Sequence, residues 1–240
     1  MSMGRSTPAG TVLLEAGTPA RPSSAALAWA VTAIALVVVG GLWIRFGELG
    51  ALPIDRWWHG AVEASPASLL FAVAIGLADI GGSVGGATTA AIAGAALFAL
   101  RRPRDACAVM LAALLGVVAS ELLKVIVERG RPSDPLAHAT GLSYPSGHSM
   151  GAAALAAALF LVVLGTEGVR REVVRAAAFL ATAWILAMMW SRTALHVHWL
   201  TDTFAGALLG LAVAIIARRI AIRPRTRRVT TPQPRQSRVG

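Results

Sequence analysis

Three short polar stretches interrupt an otherwise apolar chain of 240 residues, and each carries groups that handle anions. "KVIVERGRP" sets Lys124, the only lysine in the chain, a few residues before Arg131. "SYPSGHSM" offers Ser146, Gly147 and His148 in a turn shaped by Pro145 and Gly147, with Ser149 as the expected N-cap of the apolar helix that follows. Turn amides and a helix N-terminus together make a natural anion site. "SRTALHVHWLTD" brings Arg192, two histidines and Asp202. Cations, amide donors, two imidazoles and a carboxylate suit one guest above others, a phosphate. Phosphoryl transfer needs little beyond an in-line nucleophile and positive charge on three equatorial oxygens. A neutral imidazole serves as that nucleophile, since it carries no charge to repel the phosphate. Only one ring nitrogen can attack, so the other should donate to a carboxylate that fixes the tautomer. If the last helix begins near His198, Asp202 lies along the same face four residues on, whereas His196 meets Leu200 at that spacing. His198 is therefore the reactive candidate, and His196 is expected at a surface or interface.

The elements that must carry these stretches are membrane helices. Hydrophobic residues make up 56% of the chain and charged residues only 14%, well below the roughly one quarter of soluble domains. The mean hydropathy is +0.66. Six apolar runs approach the roughly 20 residues a span requires: 25–44, 81–100, 106–123, 150–165, 173–190 and 199–217. A shorter run over 68–77, with "IDRWWHGAVEAS" before it, reads as interfacial helices, where Trp57 and Trp58 suit the headgroup region. The expected fold is all-α: a polytopic bundle of six transmembrane helices with short interfacial helices between the first and second spans. A tail over 1–24 precedes the domain at 25–217, and a basic, disordered tail over 218–240 follows it. The first run is too long for a signal peptide's apolar core and lacks a cleavage site, so it counts as a span.

Arginine sets the orientation. With the N-terminus inside, the inner segments hold Arg5, Arg21, Arg101, Arg102, Arg104, Arg170, Arg171, Arg175 and eight arginines from Arg218 onward, 16 of the 22 basic residues. Both termini are thus expected in the cytoplasm of a bacterial plasma membrane, and the three polar stretches outside it. Of the six exceptions, Arg45 and Arg56 snorkel beside the first span. Lys124, Arg129, Arg131 and Arg192 instead gather at the outer ends of the third and fifth spans. The basic tail lacks aromatic interleaving or a nucleic-acid fold, which points to anionic lipid rather than nucleic acid. The lone Cys107 falls in an apolar span and is expected to be a buried, inert thiol.

The three stretches resemble the motifs of the type 2 phosphatidic acid phosphatase superfamily of membrane lipid phosphatases. Lys124, Arg131 and Pro132 match its first motif, Pro145 to His148 its second, and Ser191, Arg192, His198 and Asp202 its third, in order and at its spacing. The resemblance covers about 81–217. It implies His198 as the nucleophile that becomes a phosphohistidine, His148 as the general acid for the leaving group and Asp202 as the group that orients His198. It implies Lys124, Arg131 and Arg192 on the non-bridging oxygens, with Ser146 and the Gly147 amide assisting, and neither metal nor cofactor. Glycine is common in the family where His196 stands, proline at Leu200 and phenylalanine at Tyr144. Other polar residues take structural readings. Glu121 pairs with Lys124, Asp79 caps the second span, and His59 and His138 are solvated. Asp134 stands alone in its loop, and Arg129 is a further candidate for the phosphate.

The expected activity is metal-independent hydrolysis of a lipid phosphate or diphosphate, with polyprenyl diphosphate, phosphatidate and phosphatidylglycerol phosphate as candidate substrates. Passing the phosphoryl group to an alcohol instead of water is the alternative. A transporter would need charges near the bilayer centre, and these lie at helix ends.

Overall fold

The computed structural model describes residues 21–47 and 50–222. The basic tail beyond 222 and the first twenty residues, whose arginines weigh in the orientation, lie outside the described residues. Eight helices and no strand appear among those described: α1 (Ser24–Phe46), α2 (Pro53–Ala61), α3 (Leu69–Gly81), α4 (Ser83–Ala99), α5 (Pro103–Val127), α6 (Gly147–Leu164), α7 (Arg171–Ala194) and α8 (Leu200–Ala221). Five of them, α1, α5, α6, α7 and α8, are each long and apolar enough to cross a membrane. The protein is an integral-membrane helical bundle.

The predicted second span takes a different form. The run at 68–77, expected to lie in the interface, extends through Gly81 as α3 and packs along α7. Together α3 and α4 reach span length, but as a pair bent by 55°. Asp79 and the adjoining Gly81 and Gly82 lie where a continuous apolar helix would have to run, and glycine is a poor helix former. Asp79 sits inside α3 and caps nothing; Gly82 is the N-cap of α4. The other interfacial helix, α2, is present, with Trp57 exposed and Asp55 buried beneath it.

Helix α8 forms the centre and packs on α6, α5 and α1. Lipid offers no hydrophobic drive for helices to associate, so close backbone approach must supply the packing. The facing surfaces are accordingly small. Ala153, Ala154 and Ala157 of α6 are buried, and opposite them a Cβ on Gly206 would come within 2.4 Å of the Ser146 carbonyl oxygen, and one on Gly210 within 2.3 Å of that of Met150. Any larger residue at either position would push α8 off α6.

The ends of the bundle differ. At one, Arg102 donates to Asp105 at 2.9 Å and to Thr166 at 2.8 Å, Arg218 donates to Asp105 at 2.8 Å, and Arg219 reaches the Pro22 carbonyl at 2.6 Å. Arg218 is buried within α8, so the predicted tail starts later than 218. Cys107, expected to be buried, is exposed on α5. The opposite end gathers the C-termini of α5 and α7 and the N-termini of α6 and α8, which bear the three polar stretches.

Candidate active site

Each polar stretch enters the site from a helix end. Lys124 lies in the last turn of α5, 2.6 Å from Glu121, the pairing expected from their spacing. The second stretch opens α6 and meets the first there: a Cβ on Gly147 would stand 3.7 Å from the Lys124 ammonium. Ser146, not Ser149, is the N-cap, its hydroxyl accepting the Ser149 amide at 3.4 Å and the Ser149 hydroxyl at 3.2 Å. Ser146 is fully buried, and its hydroxyl is engaged in capping the helix. Arg192 ends α7.

His198 lies in the loop between α7 and α8, just before the helix rather than on it. Helix α8 begins at Leu200 with Trp199 as N-cap, and the Asp202 carboxylate folds back to accept the Trp199 amide at 2.9 Å. The carboxylate is thereby held under the ring, 3.6 Å from His198 Nδ1. Ser143 bridges the gap, its hydroxyl 3.4 Å from Nδ1 and donating to Asp202 Oδ2. On the other side Arg131 lies 3.0 Å from His198 Nε2. A guanidinium can only donate, so Nε2 must carry the lone pair and Nδ1 the proton. Burial is the largest influence on this imidazole and lowers its pKa; the bond to Asp202 opposes that, Arg131 and Arg192 reinforce it, and the result is about 4. The ring is neutral at physiological pH, with its unprotonated nitrogen against Arg131.

His198 lines a cavity of about 730 Å³ together with Lys124, Arg131, Gly147, His148 and Arg192. Of the predicted site residues, only Ser146 and Asp202 stay out of the wall, and Asp202 stands directly behind His198. Two buried polar atoms of wall residues, Arg192 Nε and Ser120 Oγ, have no partner among the described residues. Ser120 sits one turn before Lys124, a spacing that could have drawn attention to it. The Arg131 guanidinium also donates to the carbonyls of Thr140, Gly141, Leu142 and Val197, which fixes the loop over the site. Burial lowers its pKa, with Asp202 opposing.

The cavity continues away from the charges along Ala87, Ala90, Met110, Leu114 and Val117, between α4 and α5. A second, apolar cavity of about 360 Å³ between α4, α6 and α7 shares Gly81, Gly86, Gly151 and Leu155 with it.

Three sequence expectations are overturned nearby. Arg129 is no phosphate ligand. It is fully buried and bonds Asp55 at 2.5 Å, Asp202 at 2.6 Å and Thr201 at 2.8 Å. His59 is not simply solvated and Asp134 is not alone, and His196, expected at a surface or interface, is buried beside them. His196 is 4% exposed, its ring lies 3.7 Å from that of His59, and both rings meet one oxygen of Asp134, at 3.0 and 3.1 Å. Partial burial would raise the Asp134 carboxyl, but hydrogen bonds from the two histidines outweigh it and hold the pKa below its ordinary value. His196 has φ of 53°, a left-handed conformation that glycine adopts without strain, which explains why the resemblance sets glycine there. Tyr144 departs from phenylalanine for a visible reason too: its hydroxyl donates to the Val37 carbonyl of α1 at 2.7 Å.

Residues 105–225, half of the chain, match the PAP2 superfamily. The chain belongs to that superfamily. Among relatives, phosphatidylglycerophosphatase B of Bacillus subtilis (strain 168) is 33% identical over 133 residues, which cover 53% of this chain and 63% of that protein, less than two thirds of its length. The fold is shared with the transmembrane PAP2-type phosphatidylglycerolphosphate phosphatase of Bacillus subtilis, at a TM-score of 0.69 and 24% identity over 80% of this chain and 94% of that one. Aquifex aeolicus LpxE follows at 0.55 and 23%, over 72% and 97%. The matched PAP2 segment holds all three polar stretches, whereas α1, α2, α3 and α4, with Asp55 and His59, lie outside it.

Proposed function

We propose that this PAP2 protein is a lipid phosphatase that works through His198. The observation that carries the reading is a buried, neutral imidazole whose unprotonated Nε2 lies 3.0 Å from Arg131, on the wall of a cavity shared with Lys124, Arg192 and His148. The cations bind the non-bridging oxygens of the phosphate, and the Gly147 amide at the start of α6 adds a donor. Nε2 attacks phosphorus in line. As the P–N bond forms, the P–O bond to the lipid breaks and His148 gives its proton to the departing oxygen. Asp202, through Ser143, stabilises the imidazolium that results. Water, deprotonated by His148, then cleaves the phosphohistidine and releases phosphate. The apolar extension between α4 and α5 suits an acyl or prenyl chain, because Leu114 and Val117 at its mouth are exposed to lipid.

A panel of purified phosphatidate, phosphatidylglycerol phosphate and polyprenyl diphosphate, incubated with the protein in detergent, tests this reading through released phosphate. Release from none of the three would overturn it. Turnover is expected to persist in excess chelator and to fall with vanadate, whose bipyramidal adduct mimics the transition state. Loss of all activity on chelation would show that turnover depends on a metal, in the chemistry or in the loops that hold the site.

The proton donor has its own signature. A general acid contributes roughly 10²–10⁴-fold where the leaving group is a poor one. His148→Ala is expected to lose that much on a lipid alkoxide and far less on an aryl phosphate with an acidic phenol. Equal losses on both would assign His148 to phosphate binding alone.

Arg101, Arg102, Arg104, Arg170, Arg171, Arg175, Arg218 and Arg219 flank the helix ends away from the cavity, which supports a site open to the extracytoplasmic side. In a Cys107→Ala background, Glu63→Cys on the site end should react with a membrane-impermeant thiol reagent in intact cells. Glu167→Cys, in the α6–α7 turn, should react only after permeabilisation. The reverse pattern would invert the topology.

A further inference from the structure

A second cluster of chemically competent side chains lies outside the phosphate cavity. His59 comes from α2, Asp134 from the loop between α5 and α6, and His196 from the loop between α7 and α8, positions far apart in sequence. His196 Nδ1 lies 3.0 Å and His59 Nε2 3.1 Å from the same oxygen of Asp134, and the three ligand atoms all fall within 4.8 Å of one another. Two atoms bound about 2.1 Å from a tetrahedral centre stand about 3.4 Å apart, so each nitrogen needs to move from the carboxylate oxygen by only a few tenths of an ångström. Trp199 flanks the outer imidazole at 5.4 Å between ring centroids, and His196 is walled in on the protein side. Asp134 is 58% exposed, which gives an ion a route from solvent.

The imidazoles lie nearly face to face at 3.7 Å, tilted by 31°, and each presents one ring nitrogen to the same carboxylate oxygen. Two imidazoles and one carboxylate are the ligand set of borderline ions rather than of magnesium or calcium, which prefer oxygen.

We propose that His59, Asp134 and His196 bind a single borderline divalent cation of the zinc class, with water in the fourth position. The site is not part of the phosphoryl-transfer chemistry. It clamps α2 to the two loops that carry Arg131, three residues before Asp134, and His198, two residues after His196.

The test uses the full chain, purified in detergent and stripped by chelator, titrated with zinc chloride and separately with cobalt chloride. One ion should bind per chain, with saturation, a rise of a few degrees in Tm and, for cobalt, a ligand-field spectrum of low coordination number. Affinity should weaken as pH falls, because protons compete for the imidazoles. His59→Gln and Asp134→Asn should each weaken binding at least tenfold; Asp134 is exposed, so its variant tests the site even if His59→Gln misfolds. Glu63→Gln, an exposed carboxylate on the same end, and Cys107→Ala should bind like the parent. An absence of saturable binding, unchanged affinity in Asp134→Asn, or loss of binding in Cys107→Ala alone would overturn the proposal. None of these readouts depends on turnover of a lipid, so failure here leaves the phosphatase reading untouched.

Discussion

Replacing His198 by alanine is expected to abolish turnover while leaving a folded protein. The side chain packs among loops rather than between spanning helices, and its removal leaves the Asp202 carboxylate still bonded to Arg129, Ser143 and the Trp199 amide. Chemistry is another matter. Loss of a covalent nucleophile costs on the order of 10⁶-fold in kcat by analogy with hydrolases that use one, whereas loss of the orienting carboxylate costs about 10⁴-fold. His198→Ala should therefore fall below Asp202→Asn, and a double variant should be scarcely worse than His198→Ala alone. Phosphate release by each, beside its elution as a single species in detergent, is the measurement. Substantial turnover by a clean His198→Ala preparation would end the phosphohistidine mechanism.

Arg129→Ala is expected to have the largest effect on stability. Its guanidinium is fully buried between Asp55 and Asp202, themselves buried, and also reaches the Gly50 carbonyl at 3.0 Å. Removing the cation leaves two buried carboxylates with hydrogen-bond donors but no counter-charge between them. Breaking a buried ion pair from one side typically costs about 3–5 kcal/mol, because the surviving charge stays desolvated. Activity should fall with stability, since Asp202 would lose the partner that holds Oδ1 while Oδ2 serves the histidine. Arg129→Lys should recover only part of either loss, for an ammonium cannot present two parallel donors to separate carboxylates. Unfolding in detergent micelles, followed by denaturant or heat, gives the answer. An Arg129→Ala midpoint within error of the parent would show that water enters and solvates the pair.

What the sequence displayed was set by short range. Lys124 and Arg131, the Ser146–His148 turn, and Arg192 with His198 and Asp202 are each local, so spacing alone could expose them, and long apolar runs expose spans in the same way. The Arg129 triad could not be read, because Asp55 lies 74 residues away and only the packing of α2 onto α8 brings the two together. The same holds for His59, Asp134 and His196, each unremarkable in its own segment. Ser143 escaped notice because its hydroxyl matters only once Asp202 folds back against Trp199. The nearness of Asp202 to His198 was legible, but for a different geometric reason: the spacing suggests a shared helical face, while the structure turns an N-terminal carboxylate back toward the ring. The α3–α4 pair departs from the expected second span because Asp79 and two glycines interrupt the hydrophobic signal at its 55° bend.

Arg102, Asp105, Thr166 and Arg218 tie together the end of the bundle away from the cavity, joining α5, the α6–α7 turn and α8. On the function proposed above, the molecule then works as a cup with one rim: a headgroup would enter and leave on the same side, and the shortened lipid would return to the leaflet that delivered it.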